Sequence, residues 1–232
     1  MRLVLPGFAN VRRHPSAVLL LVQLAGMVAY PFIENTTVGR TGLGVLGIVV
    51  LIVTTAMVRR TPWLTWVSVL IAVPAIAMLA VQTVTPLPHL LAWSSALEAL
   101  FYFYAAGSLI AYMMEDRKAT TDELFCAGAT FTLLAWAFAY VFLALQAGQP
   151  GSFTGAVNPQ QERSWTELMF LSFALLSSTG IGDVLPVSLV ARALCSVEMF
   201  VGVIYLAAVV SRLIGLTLQN RPEAAAHGPE QP

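Results

Sequence analysis

Residues 178–183 read Ser-Thr-Gly-Ile-Gly-Asp. Glycines at alternate positions let a chain take up conformations barred to residues with a Cβ. In an extended segment this can turn successive carbonyls toward one axis. Four copies around that axis would stack rings of oxygen that replace the hydration shell of a dehydrated cation. The Ser178 hydroxyl would add the innermost ring, and Asp183 would sit at the outer mouth and attract cations. This is coordination by Ser178, Thr179, Gly180, Ile181 and Gly182, and it involves no covalent chemistry.

Such a segment needs a support that delivers it part-way into a membrane. Just before it, Ser164 followed three residues later by Glu167 forms a capping box ahead of an apolar run, which predicts a helix start. The helix would run about 14 residues to Ser177, short of the roughly 20 needed to cross a bilayer. It therefore enters and stops, and its dipole places partial negative charge at its inner end.

The rest of the chain supplies the membrane. Of 232 residues, 58% are hydrophobic and only 10% charged, against about 25% charged in a soluble domain. Apolar blocks near 16–33, 41–58, 63–84, 89–114, 122–146 and 187–216 are each long enough to span. Pro31 is expected to end the first and Pro74 to kink the third. The basic start before residue 16 imitates a signal peptide, but the long apolar run with no small-residue cleavage site reads as a retained signal-anchor. With the N-terminus inside, nine Arg and Lys residues fall in the cytoplasm and three (Arg40, Arg163, Arg192) outside, the bias expected of a correctly oriented multi-span chain. Both termini are then cytoplasmic, and residues 147–186 face outward. The polar tail from Gln219 is expected to be disordered.

Taken in order, residues 122–216 resemble the two-helix pore domain of potassium channels: outer helix, pore helix, filter, inner helix. The family filter is usually T-V-G-Y-G-D, and here it is Ser178-Thr179-Gly180-Ile181-Gly182-Asp183; Pro186 matches the proline after the filter. Gly202 falls where the family has its inner-helix hinge. The resemblance implies a homotetramer, since one loop per chain is a quarter of a filter. It also implies potassium ions bound at filter carbonyls as the permeant ligand, with no other cofactor or metal. Ser178 keeps the hydroxyl of the usual threonine. Ile181 replaces the aromatic residue that braces the filter, and the pore-helix positions behind it are Phe170 and Leu171, which make an apolar cuff.

Beyond Gly202, Val203, Leu206 and Val210 recur at helical spacing and are candidates for cavity lining or a dewetting gate; packing against neighbouring helices is the alternative. The span from 89 to 114 contains no Arg or Lys, so it cannot sense voltage by moving charged side chains. Glu98 and Glu198 are ionisable groups at membrane depth. Glu98 could sense protons or hold a lipid or ion, but a carboxyl that is protonated or hydrogen-bonded to a neighbouring hydroxyl such as Tyr102 is the preferred reading. For Glu198 a bond that braces the pore helix is expected. The aromatic run 101–104 reads as lipid-facing and packing surface. Trp63, Trp66, Trp93 and Trp165 read as interfacial belts. Asn35-Thr36-Thr37 spells a glycosylation sequon. Cys126 and Cys195 sit in apolar blocks with no ligand spacing, and His14, His89 and His227 are scattered, so neither disulfide nor metal site is expected.

The sequence thus predicts an all-α membrane protein of six transmembrane helices plus a re-entrant pore helix and filter loop, multi-pass in the cell membrane. It divides into a four-helix unit (1–118), a pore domain (119–218) and a tail (219–232). The function expected is passive, potassium-selective conduction among membrane lipids, with zero net charge giving no reason for a nucleic-acid partner. Three other readings remain open: a weakly selective sodium/potassium channel, a non-conducting accessory or sensor subunit, and an intramembrane aspartyl protease of the G-x-G-D type. The last would use Gly180-Ile181-Gly182-Asp183, but it needs a second aspartate close enough to share a proton. Asp116 and Asp122 are the only others and are expected at the cytoplasmic side.

Overall fold

The computed structural model describes residues 15–33, 88–115 and 121–219, with isolated helical positions between 70 and 81. The spans expected at 41–58 and, apart from those positions, 63–84 lie outside the described residues. So do Asp116, Trp63, Trp66, the Asn35 sequon and the tail beyond Gln219.

Four long helices account for most of the described chain: α1 (Pro15–Ile33), α2 (Pro88–Glu115), α3 (Thr121–Gly148) and α5 (Leu189–Gln219). Each is long and apolar enough to cross a membrane. Between the last two lie β1 (Phe153–Gly155), the short helix α4 (Trp165–Leu176) and β2 (Val184–Pro186). Pro31 falls inside α1 and does not end it. One turn from a helix C-terminus, a proline removes a single hydrogen bond, and the helix runs on for two residues.

Helix α3 is the axis of the unit. It is the most buried of the spans, with α2 along most of its length and α1, α4 and α5 on its other faces. Lipid is as apolar as leucine, so helices in a membrane associate through packing and a few polar contacts. Those contacts are visible at both ends and in the middle. Asp122 accepts from the Ser16 amide (3.2 Å) and hydroxyl (2.8 Å), tying α1 to the start of α3. Arg212 of α5 pairs with the buried Glu123 at 2.7 Å. The Tyr205 hydroxyl donates to the Ala127 carbonyl at 2.6 Å.

Aromatic packing fills the upper half of α3. Trp165 meets Trp136 edge-on at 5.5 Å and Tyr30 at 5.0 Å, and Tyr102 stacks on Tyr140 at 5.4 Å. Each such pair contributes about 0.5–1.5 kcal/mol beyond area burial. Trp165 is buried rather than interfacial, and within the run 101–104 Phe101 and Tyr102 pack into the core while Phe103 and Tyr104 are half-buried. Trp93 is exposed.

Candidate functional site

The depth of the segment at 178–183 follows from what α4 touches. At its start, Trp165 lies against Trp136 and Tyr140; lower down, Ser172 reaches the Ala135 carbonyl at 2.7 Å and Phe173 lies against Phe131. With a rise of 1.5 Å per residue, α3 is about 42 Å long and α4 about 18 Å. Phe131 is ten residues into the 28 of α3, so α4 descends past its midpoint and stops. The chain then leaves α4, and the Asp183 carbonyl accepts from the Ala156 amide at 2.7 Å, in the loop after α3 whose Phe153 lies against Phe142.

Local chemistry starts and ends α4. Ser164 is the N-cap: its hydroxyl accepts from the Glu167 amide at 3.3 Å, and the Glu167 carboxylate accepts from the Ser164 amide at 2.7 Å. The helix closes after 12 residues with Ser177 as C-cap. Its last carbonyls are met by donors from residues 177–180. Ser177 N–H and Oγ donate to Phe173 O, Ser178 N–H to Leu175 O at 3.0 Å, and Thr179 and Gly180 N–H to Ala174 O at 3.1 and 3.3 Å. Thr179 Oγ1 also reaches Ala174 O at 3.3 Å and Ser177 Oγ at 3.1 Å.

The amides of 178–180 are thus turned back toward α4. Among the described residues no donor reaches the carbonyl oxygens of 178–182. All of residues 178–183 are exposed in the single chain, Ile181 at 66%. Gly180 takes φ +68°. The second left-handed residue is Ser178 at +58°, whereas Gly182 keeps a negative φ, so the alternation of hand is offset from the alternation of glycines. Ser178 is held there by the bonds that cap α4, at a strain of about 1–3 kcal/mol for a residue with a Cβ.

A buried arginine the sequence did not single out holds the outer scaffold. Arg163, only 4% exposed, donates to the carbonyls of Val157 (3.2 Å), Asn158 (2.6 Å) and Gln161, and pairs with Glu167 at 2.9 Å. Its own amide and carbonyl bond the Gln146 side chain at 3.0 and 2.9 Å. The loop it organises presents β1, which pairs antiparallel with β2, Gly155 opposite Val184. The far end of the 178–183 segment is therefore stitched to the loop after α3. Replacing Arg163 by Ala would leave three loop carbonyls and Glu167 poorly satisfied, at a cost of about 3 kcal/mol. A lowered thermal melt and faster proteolysis between 149 and 163 are expected. Arg163→Lys should rescue little, because one ammonium cannot reproduce a planar five-donor fork.

Behind the segment, α5 crosses the inner end of α4. The Ser172 hydroxyl contacts the Glu198 carboxyl as well as Ala135, linking all three helices. Gly202 sits against the backbone of Leu176, and α5 runs past it without a break. Its observed role is close approach. Val203, Leu206 and Val210 lie on the exposed side of α5. Phe170 is partly exposed and Leu171 buried, so only Leu171 is enclosed by its own chain. In the N-terminal helices, Glu98 shares its hydrogen bond with Tyr140 rather than with Tyr102; Tyr102 is stacked on that partner.

Asp122 lies in the first turn of α3, whereas Asp183 bonds the loop whose Phe153 packs on Phe142, about 30 Å farther along that helix. A shared-proton dyad between them is geometrically impossible, which removes the protease reading for this pair.

Residues 129–219 match a family model described as ion channel, which supports an ion-channel family for the part of the chain that contains α4, the exposed segment and α5. No curated protein and no solved structure matches the chain.

Proposed function

We propose that four copies of this chain surround a pore lined by Ser178, Thr179, Gly180, Ile181 and Gly182, and that the pore passes monovalent cations passively, with potassium preferred. The observation that carries this reading is the combination at 178–182. The amides of its first three residues are consumed by α4, the carbonyls have no donor among the described residues, and the whole segment is exposed in the single chain. Carbonyl oxygens left without donors inside a membrane are costly. A row of cations coordinated by four such segments satisfies them.

The apolar span α5 supports the assembly. Its outward side carries Phe200, Val203, Ile204 and Val210, which the described part of its own chain leaves uncovered. Copies of the chain cover the part nearest the axis and membrane lipid covers the rest. Asp183, exposed beside the end of the segment, concentrates cations at the outer mouth. In this reading the domain from 119 to 218 conducts, both termini are cytoplasmic, and α2, without Arg or Lys, is no voltage sensor.

A second reading, a weakly selective sodium/potassium pore, is favoured by one observation. Ile181 is uncovered by its own chain and carries no hydroxyl with which to brace a neighbour. Reversal potentials under bi-ionic conditions decide between the two. A shift toward the potassium equilibrium potential supports the first, and equal permeability supports the second. Ile181→Tyr should raise the potassium preference.

A further inference from the structure

Glu198 is fully buried on α5, with its Oε1 on the Ser172 hydroxyl and its Oε2 without any partner among the described residues. The Ser172 hydroxyl also lies 2.7 Å from the Ala135 carbonyl. A serine hydroxyl has one hydrogen to donate and can otherwise only accept. A carbonyl oxygen cannot donate. The 2.7 Å contact with Ala135 therefore requires the hydrogen of Ser172, and the contact with Glu198 must be made by a hydrogen that Glu198 supplies. The alternative, an ionised Glu198 taking the serine hydrogen, would press two bare oxygens together at Ala135 and leave Oε2 a buried, unpaired part of a charge.

We infer that Glu198 is a neutral carboxylic acid donating to Ser172, which donates in turn to Ala135, and that this two-bond relay is the positioning device that locks α5, α4 and α3 together behind the exposed segment. Ser172 is one turn above the end of α4, and Glu198 one turn above Gly202 on α5. The relay and the Gly202–Leu176 approach are thus consecutive points of one seam. Together they set where α4 ends and so where Ser178 begins. Among the described residues, the groups that face Glu198 are Ser172 from α4, the Ala135 carbonyl from α3, and Cys195 one turn earlier on its own helix. None of them is a cation that would hold a carboxylate.

The role in filter geometry rests on the proposed channel function; the proton on Glu198 does not, and the experiment separates them. Infrared spectra of the full-length protein in lipid, wild type minus Glu198→Gln, should contain the carbonyl band of a protonated carboxylic acid, whether or not the protein conducts. A carboxylate pair of bands in its place, or no difference, overturns the inference. In potassium flux, Glu198→Gln should stay near wild type because its amide still donates to Ser172, and Glu198→Ala and Ser172→Ala should fall about tenfold or more. Flux in the wild type should drop at alkaline pH, and Glu198→Gln and not Cys195→Ser should abolish that drop. If Glu198→Gln fails as badly as Glu198→Ala, or keeps the wild-type pH profile, the relay is not what positions the segment.

Discussion

Gly202→Ala should destabilise the protein by about 2–3 kcal/mol per chain and remove most ion flux, the largest effect of any single methyl group added to the described helices. A Cβ at Gly202 would lie 2.8 Å from the Leu176 carbonyl carbon and 2.9 Å from its Cα, closer still to its carbonyl oxygen. These are backbone atoms at the last residue of α4, so no rotamer change relieves the clash. Either α5 moves away or α4 ends elsewhere, and the capping bonds that hold Ser178 and Thr179 shift with it. The control is the same substitution at Gly107 in α2, where a Cβ meets nothing within 4 Å. There the gain in helix propensity, about 1 kcal/mol, is unopposed. Thermal melts of the two variants in the same detergent should therefore move in opposite directions. Equal melts would mean that the approach of α5 to α4 is not a constraint.

The second large effect is expected at Gly180. Its φ of +68° is left-handed, and an added Cβ would meet nothing within 4 Å in the chain. The penalty for Gly180→Ala is therefore conformational alone, about 1–2 kcal/mol. In one chain that is tolerable. In a four-fold ring it is incurred four times, roughly 4–8 kcal/mol, all of it at the carbonyls that would hold the ion. Potassium flux should fall by about a hundredfold or more while helical content, read by circular dichroism, stays at the wild-type level. Wild-type flux in this variant would show that Gly180 does not line the pathway.

What could be read from the sequence was local or compositional. The Ser164-x-x-Glu167 pattern marks the residue at which α4 begins, because a capping box is completed within four residues. Long apolar blocks place the described spans to within a few residues, since length and hydropathy alone decide them. The misread features are those that distant residues decide. A three-residue strand pairing Phe153 with Pro186 has no periodicity of its own. Arg163 looks like any charge in an outside loop until Gln146 and three loop carbonyls surround it. Trp165 has the chemistry of an interfacial residue, but Tyr30 and Trp136 enclose it. At the candidate site the alternating glycines led to the expectation of carbonyls turned toward one axis, and they did not point to the pair of left-handed residues at Ser178 and Gly180. Ser178 acquires its positive φ from the cap of α4, a constraint that residue type alone does not carry. Gly202 was expected as a hinge from its place in the resemblance; the structure gives it a steric reason that concerns the end of α4.

The central claim is that the carbonyl-lined segment at 178–182 is an ion pathway, and potassium flux through the purified protein in liposomes tests it most directly. With a potassium gradient and a voltage-sensing dye, wild-type vesicles should polarise toward the potassium equilibrium potential, and Gly180→Ala vesicles should not. Wild-type vesicles as tight to potassium and sodium as protein-free vesicles would contradict the claim and favour a non-conducting subunit that retains the same fold.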